Sequence, residues 1–329
     1  MNSDHVIEIK DLTIHYEMRE GTVKALNNVS LSLKRNSSYG LVGETGAGKT
    51  TLAKGIMRLT PTPYGKVKSG EILYEGKDLL KMSPKELQKY RGKHISMIFQ
   101  DPMTSLNPVV SVGKQIEESL AAHENLSGAE LSKRAGEILE MVGIPAERAS
   151  EFPHQFSGGM KQRVVIAIAL ALDPDVLLAD EPTTALDVTI QAQVLDMIAN
   201  LRTKLGTSLL LITHDLGVVA QNCEYVSIMY AGEIVETGTV HDIFKNKLHP
   251  YTEGLFNSIP NISDQVHRLT PIPGLMPDPT NLPKGCSFCE RCPKAVEQCK
   301  TKHPRLILIG GEENSHMVRC FLYESINGG

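Results

Sequence analysis

A glycine-rich segment at residues 43–50, GETGAGKT, constrains the fold more than any other feature of the sequence. It follows an apolar stretch and precedes a run with helical spacing, so it predicts a strand, a loop and a helix in that order. The glycines let backbone N–H groups turn toward phosphate oxygens, Lys49 neutralises the β and γ phosphates, and the Thr50 hydroxyl can bind Mg²⁺. The nucleotide contacts expected here come from Gly43, Glu44, Thr45, Gly46, Ala47, Gly48, Lys49, Thr50 and Thr51.

Composition narrows the class of protein. With 329 residues and 41% hydrophobic side chains, the chain can bury a full core and is long enough for about two domains. A net charge of −4 gives no strong field toward nucleic acid, so no nucleic-acid partner is expected. The start MNSDHVIEIK lacks a secretory signal, which predicts a protein that stays in the cytoplasm. The longest apolar run, Val164 to Leu172, is much shorter than the roughly 20 residues of a membrane helix.

Hydrophobic periodicity predicts the order of the elements. Residues 6–18 and 22–34 alternate apolar and polar side chains, as half-buried antiparallel strands do. Val176–Ala179 and Ser208–Ile212 are apolar without alternation, which predicts parallel strands covered on both faces. Residues of about 104–172 have helical spacing and predict an inserted helical subdomain. After about residue 256 prolines become dense, which predicts a linker into a small cysteine-containing tail.

Two acids and a histidine follow the predicted buried strands. Asp180 and Glu181 come where the first of these strands ends, at the sheet edge where α/β proteins bind ligands. Behind a phosphate loop, Asp180 would hold Mg²⁺ through water and Glu181 would polarise the water that attacks the γ phosphate. His214 follows the next buried strand and could lie beside Glu181, where it would sense the γ phosphate.

A second anion site is predicted at Ser157, Gly158 and Gly159, just before a long helix. The exposed N–H groups and the dipole at a helix N-terminus attract phosphate. Because residues 43–50 already hold one nucleotide, the spare site is explained if it closes over the ATP held by another copy.

These residues together resemble the nucleotide-binding domain of ABC proteins, over roughly residues 5–255. The resemblance implies that Tyr16 stacks on adenine, that Gln100 couples Mg²⁺ and the attacking water to a transmembrane partner, and that Asp187 lies at a dimer interface. Met160 stands where the family usually has Gln. This difference leaves in place the N–H groups that would donate to phosphate. The implied fold is an α/β, ABC-type P-loop nucleotide-binding domain with an antiparallel β subdomain and an inserted helical subdomain at 1–255. A small Cys-rich C-terminal extension is expected at 256–329.

A narrower resemblance covers nearly the whole chain. QDPMTSLNP from Gln100, HPYT at residues 249–252, the IPG segment and GCSFCERCP are similar to dipeptide and oligopeptide importer ATPases. It implies ATP hydrolysis coupled to peptide uptake, a second ATPase subunit, two membrane permease subunits, an external binding protein, and a place on the cytoplasmic face of the membrane. Nickel and other small-solute importers share this layout. A non-transport ABC ATPase is the other alternative, although the chain has neither a long coiled coil nor two nucleotide domains.

Five of the six cysteines lie between residues 286 and 320. Clustered thiols in a reducing compartment suggest an iron–sulfur cluster or zinc, and spacing alone would select Cys286, Cys289, Cys292 and Cys299 as ligands. The resemblance instead implies a 4Fe-4S cluster held by Cys286, Cys292, Cys299 and Cys320. Its expected role is to staple a tail too small for its own core, with a redox sensor as the alternative. Because the expected ATP site is built from residues distant from a structural cluster, Cys320→Ser is expected to leave nucleotide binding intact.

Overall fold

The computed structural model describes residues 4–184, 186–258, 271–309 and 316–324, with the backbone alone at residues 102 and 103. The strands are β1 His5–Met18, β2 Gly21–Lys34, β3 Ser38–Val42, β4 Gly65–Tyr74, β5 Lys77–Asp78, β6 Ile95–Ile98, β7 Val176–Asp180, β8 Ser208–Thr213, β9 Tyr225–Tyr230, β10 Glu233–Thr239, β11 Ile307–Leu308 and β12 Met317–Val318. The α-helices are α1 Lys49–Ile56, α2 Pro84–Tyr90, α3 Pro102–Ser105, α4 Val112–Ala121, α5 Gly128–Met141, α6 Gly158–Leu170, α7 Val188–Leu205, α8 Leu216–Asn222, α9 Val240–Lys245, α10 Pro250–Asn257, α11 Glu297–Thr301 and α12 Phe321–Glu324. Within these described ranges, no helix is both long and apolar enough to cross a bilayer.

The chain divides into two compact units. The first unit comprises Met1–Ile7, Ser32–Ser38 and Leu73–Ile212, and the second comprises Glu8–Leu31, Tyr39–Ile72 and Thr213–Gly329.

The first unit contains the predicted buried strands. β7 pairs in parallel with β6 on one side and with β8 on the other. Every residue of β7 and β8 is buried, as the continuous apolar runs predicted. Helix α6 contacts β6 and is apolar along most of its length, so it contributes to this core.

The segment predicted to be helical contains α3 to α6 and two short 3-10 helices, Ala146–Ser150 and Pro153–Gln155. Helix α5 begins at a capping box, in which the Ser127 hydroxyl accepts from the Glu130 N–H and the Glu130 carboxylate accepts from the Ser127 N–H. Helices α4 and α5 pack against each other and α6 contacts both, which buries one face of each.

The second unit contains the predicted alternating strands and the phosphate loop. β1 lies between β2 and β4, and a separate run of strands has the order β11-β12-β10-β9-β3. β3 pairs in parallel with β9, and β9 pairs antiparallel with β10 through a tight turn at Ala231 and Gly232, both with positive φ. The core packed around β9 contains Tyr230, Tyr251 and Phe288, so residues of the tail help to build it.

Two buried glutamates on β10 bind the described part of the tail. Glu236 accepts from the N–H groups of Leu248 and His249 at 2.9 and 2.8 Å and lies 2.8 Å from His316 Nε2. Glu233 accepts from the Ser287 hydroxyl at 3.1 Å and lies 2.8 Å from His303 Nε2. The tail strand β12 extends the sheet beside β10. The proline-rich segment has no helix or strand at residues 271–288, while its predicted linker portion at 259–270 lies outside the described residues.

Candidate nucleotide site

The phosphate loop connects β3 to α1, in the predicted order of strand, loop and helix. Gly48 caps α1 with φ of +104°, a conformation that glycine adopts without strain, and a Cβ there would lie 2.6 Å from the Ala25 carbonyl oxygen. At Gly43 a Cβ would lie 2.2 Å from the Met229 carbonyl oxygen. Packing therefore requires glycine at both positions.

Lys49 and Tyr16 both lie against this loop. The Lys49 side chain is 6% exposed, and its Nζ donates to the carbonyl oxygens of Gly43 at 2.7 Å and Glu44 at 3.0 Å. The ammonium group is thus fixed inside the loop. The Tyr16 hydroxyl donates to Thr51 Oγ1 at 3.3 Å, which places this predicted adenine contact beside the first turn of α1.

Glu44 has two partners that sequence reasoning missed. Its N–H donates to the Tyr251 hydroxyl at 3.0 Å, and its carboxylate Oε2 lies 3.0 Å from Nη1 of Arg291. The available signals were HPYT, which contains Tyr251, and the arginine inside the cysteine motif. The phosphate loop is therefore close to the cysteine motif, and not distant from it as the sequence had predicted, because Arg291 and Glu44 are 247 positions apart in sequence and in direct contact.

The two acids of the first unit that are predicted to act on Mg²⁺ and water lie at the end of β7. Asp180 is its last residue and is 2% exposed. Glu181 follows with φ of +47°, in the left-handed region that a non-glycine residue occupies at a cost of roughly 1–3 kcal/mol. Glu181 Oε2 accepts from Gln100 Nε2 at 3.1 Å and from the Thr184 hydroxyl at 2.9 Å. The structure thus brings the predicted base and Gln100 together in a strained, directed arrangement.

The predicted second anion site also has the expected local form. Ser157 caps α6, and its hydroxyl accepts from the Met160 N–H at 3.4 Å. Gly159 packs so closely on α7 that a Cβ there would lie 2.7 Å from Ile190 Cγ2. Ser157, Gly158 and Gly159 therefore start a helix of 13 residues, whose N–H groups and dipole suit an anion.

Asp187 and His214 are each next to a helix. Asp187 precedes α7 as its N-cap residue. His214 precedes Asp215, whose carboxylate caps α8 by accepting from the Gly217 N–H at 2.7 Å. Their predicted roles, at a dimer interface and as a γ-phosphate sensor, stay predictions.

The cysteines of the tail are free thiols in partly or fully buried positions. Burial raises the pKa of Cys286 to about 12, with a further contribution from Cys299 and Cys320. Burial raises the pKa of Cys320 to about 11, and Cys292 and Cys299 add to this shift. The four thiols implied by the resemblance therefore influence one another, but the described residues contain no group of three or more His, Cys, Asp or Glu arranged to hold a metal ion. The iron–sulfur prediction is not confirmed.

Two protein-family models match this chain. The family model described as ABC transporter matches residues 26–184, and the model described as oligopeptide/dipeptide transporter, C-terminal region, matches residues 235–299. The oligopeptide transport ATP-binding protein OppD of Bacillus subtilis is 51% identical over 96% of this chain and 88% of its own length. The dipeptide transport ATP-binding protein DppD of the same organism is 46% identical over 98% of this chain and 96% of its own length.

Solved structures of ATP-binding cassettes are similar to this chain in fold. A dimeric ATP-binding cassette, MJ0796, in a post-hydrolysis state bound to ADP and Pi, is 31% identical, with a TM-score of 0.64 over 71% of this chain and 98% of that one. The cbiO1 protein of Clostridium perfringens, part of the ABC transporter complex cbiONQ, is 29% identical, with a TM-score of 0.64 over 74% of this chain and 92% of that one. The chain therefore has the ATP-binding cassette fold and belongs to the ABC transporter family, in the group of oligopeptide and dipeptide transport ATP-binding proteins.

Proposed function

We propose that this chain is the ATP-hydrolysing subunit of an importer of di- or oligopeptides. The identity of 51% to an oligopeptide transport ATP-binding protein, over 96% of the chain, carries the proposal. The match of residues 235–299 to the model of the C-terminal region of oligopeptide and dipeptide transporters also supports it. Its reaction is the hydrolysis of Mg-ATP, coupled to translocation by separate membrane subunits.

The predicted residues would have distinct roles in this reaction. The loop N–H groups and Lys49 would bind the phosphates, Thr50 would bind Mg²⁺, Tyr16 would stack on adenine and His214 would sense the γ phosphate. Asp180 and Gln100 would hold Mg²⁺ and its water, and Glu181 would accept a proton from the attacking water. The bond from Gln100 to Glu181 supports this role, since it orients the carboxylate. Bound Mg²⁺ supplies charge neutralisation at the β and γ phosphates.

Several partners follow from the proposal. Ser157, Gly158 and Gly159 close over the ATP held by a second ATPase subunit, with Asp187 at the interface. The dimeric state of the related cassette MJ0796 supports this pairing. Two permease subunits and an external peptide-binding protein complete the transporter, which places this chain on the cytoplasmic face of the membrane. Within the chain, residues 1–255 form the nucleotide-binding domain, with its helical subdomain at about 104–172, and residues 256–329 form the C-terminal extension.

Substrate-stimulated hydrolysis tests the proposal. The chain is co-expressed with its neighbouring transporter subunits, purified from membranes and reconstituted in lipid with the binding protein. We expect ATPase activity to rise when the binding protein carries a di- or oligopeptide. We expect no rise when the binding protein is mixed with Ni²⁺ instead. Stimulation by Ni²⁺ alone would instead support a nickel importer, and purification without any membrane subunit would support a non-transport ATPase.

We also propose that the tail holds a 4Fe-4S cluster through Cys286, Cys292, Cys299 and Cys320. The donor set supports it, because burial raises the pKa of Cys286, Cys292 and Cys320, and a bound metal would favour the thiolate form of these side chains. Cys289 is less buried than Cys286, Cys292 and Cys320 and is left out of the ligand set. A bound cluster would supply covalent cross-links among distant parts of the tail. Its role is architectural, since the described tail has only short helices and two-residue strands.

A further inference from the structure

Arg291 connects the cysteine motif to the phosphate loop. It ends the 3-10 helix Cys289–Arg291, and its Nη1 lies 3.0 Å from Oε2 of Glu44. The Arg291 side chain is 7% exposed and the Glu44 side chain 31% exposed, so this ion pair is largely shielded from water. Removing one partner of such a pair is costly, because the remaining charge is less well solvated than it would be in open water.

The Arg291 side chain is held in place on several sides. Nε donates to the Pro273 carbonyl oxygen at 3.0 Å, Nη2 donates to the Ile272 carbonyl oxygen at 3.4 Å, and Nη1 also donates to the Tyr230 hydroxyl at 3.3 Å. The guanidinium lies 5.9 Å from the centre of the Phe288 ring. Because the tail already fixes the guanidinium, little side-chain entropy is lost when it binds Glu44.

The proline-rich part of the tail also contacts the loop and the strand beside it. The Pro279 carbonyl oxygen accepts from the Lys24 N–H at 2.9 Å, and Met276 Cε lies 3.1 Å from where a Cβ on Gly46 would stand. Together with the bond from the Glu44 N–H to the Tyr251 hydroxyl, these contacts hold the loop from its outer side.

The charge of Glu44 explains why the loop needs such a partner. A carboxylate beside a site for triphosphate repels the ligand, and this repulsion grows as water is excluded. Arg291 neutralises that carboxylate and keeps it turned toward the tail. The Glu44 N–H is bonded to Tyr251, so phosphate binding depends on the N–H groups that follow it in the loop.

We infer that Arg291 is a positioning residue for Mg-ATP: through its ion pair with Glu44, the cysteine-containing tail sets the charge and conformation of the phosphate loop. The inference rests on the proposed binding of ATP at this loop. Arg291 itself does not contact the nucleotide. It follows that the tail contributes to nucleotide affinity as well as to stability.

The test measures the dissociation constant of Mg-ATP for the full chain, and kcat and KM in the assembled transporter. Arg291→Met should raise the dissociation constant about tenfold, because it leaves the Glu44 carboxylate uncompensated. kcat at saturating ATP should change much less. Adding Glu44→Gln to Arg291→Met should restore affinity to within about threefold of the single Glu44→Gln variant, since the repelling charge is gone. Lys294→Met is the matched control: it removes a tail cation from a more exposed pair, Lys294 with Glu253, and should leave affinity unchanged.

The outcomes separate this inference from the proposed site. Lys49→Ala should bind ATP weakly, and normal binding by that variant would overturn the site itself. Weak binding by Lys49→Ala together with normal binding by folded Arg291→Met would overturn only the role of Arg291. If Arg291→Met loses the same affinity for Mg-ATP with and without Glu44→Gln, the tail acts through stability alone. That result would also overturn the inference. If Arg291→Met does not fold, Arg291→Gln replaces it in the same comparison.

Discussion

Glu181 combines a strained backbone with two directed hydrogen bonds, which is the arrangement expected of a group held for chemistry. Its φ of +47° is costly for a residue with a Cβ, and Oε2 accepts from both Gln100 and Thr184. The two hydrogen bonds fix the direction of the carboxylate, as the proposed role of general base would require.

We predict that Glu181→Gln binds Mg-ATP normally but loses most hydrolysis. An amide is nearly isosteric and can still bond to Gln100 and Thr184, but it cannot accept the proton of the attacking water. We expect kcat to fall by roughly 10²- to 10³-fold, with ATP trapping a dimer visible by size-exclusion chromatography. Glu140→Gln, an exposed change on α5, is the control. Near-normal turnover in Glu181→Gln would remove this residue from the role of base.

The sequence predicted these residues because each follows a local pattern. The phosphate loop, Asp180, Glu181 and Ser157 stand at the ends of strands and helices whose periodicity can be counted. Arg291 and Tyr251 could not be predicted in the same way, because their role depends on contacts with Glu44 across more than 200 positions of the chain. The spacing of a cysteine motif does not indicate which residue the arginine inside it will contact.

The HPYT sequence caps helix α10 and positions Tyr251 beside Glu44. The His249 Nδ1 caps the helix by accepting from the Tyr251 N–H at 3.1 Å, and Tyr251 then presents its hydroxyl to the Glu44 N–H. His249 is 2% exposed, and burial lowers its pKa to about 4. Glu236 opposes this shift and Arg319 adds to it. Since Nδ1 is already an acceptor, a proton there would break the cap.

We predict that His249 makes the fold sensitive to acid between about pH 6.5 and 4. An unfolded histidine binds its proton near pH 6.5, whereas the folded one resists protonation down to about pH 4. The stabilising contribution is therefore complete above pH 6.5 and is lost as the pH falls through this window, by an amount on the order of 3 kcal/mol. Urea denaturation at a series of pH values measures it.

The matched variant is His249→Asn, whose side-chain oxygen can still cap α10 but does not titrate. Its stability should change less with pH over the same window. His303 acts in the opposite sense, since its hydrogen bond to Glu233 raises its pKa and makes its contribution fade as the pH rises. His303 is present in both proteins, so the difference between the two curves isolates His249. Parallel curves would refute the assignment.

Periodicity in the sequence predicted the longer strands, but it did not predict the short elements of the tail. β1 and β2 alternate over 14 residues each, and β7 and β8 are continuous apolar runs. β12 has only two residues, and it extends the sheet because β10 offers it a free edge to pair with. The buried glutamates of β10 also depart from the apolar pattern, and their partners explain why: each accepts from groups at or beyond residue 248.

The C-terminal residues are thus part of the structure that supports the phosphate loop. Phe288 packs with Tyr230 and Tyr251, at ring-centre distances of 5.2 and 5.4 Å, and the same aromatic group lies beside Arg291. Short tail elements cannot bury enough apolar surface to stay folded alone, so they depend on this core and on any cross-link among the cysteines. We therefore expect a change in the tail to affect the phosphate loop.

The last prediction separates the two possible cysteine sets. If the cluster uses Cys286, Cys292, Cys299 and Cys320, anaerobically purified Cys289→Ser protein should retain its iron, sulfide and brown absorbance, whereas Cys320→Ser should lose them. Cys320→Ser should also expose the tail to protease and weaken Mg-ATP binding severalfold, because Arg291 would no longer be held against Glu44. The reverse pattern, with iron lost only from Cys289→Ser, would change the ligand set to the one that spacing favours. Zinc without sulfide in the wild-type protein would exclude the cluster.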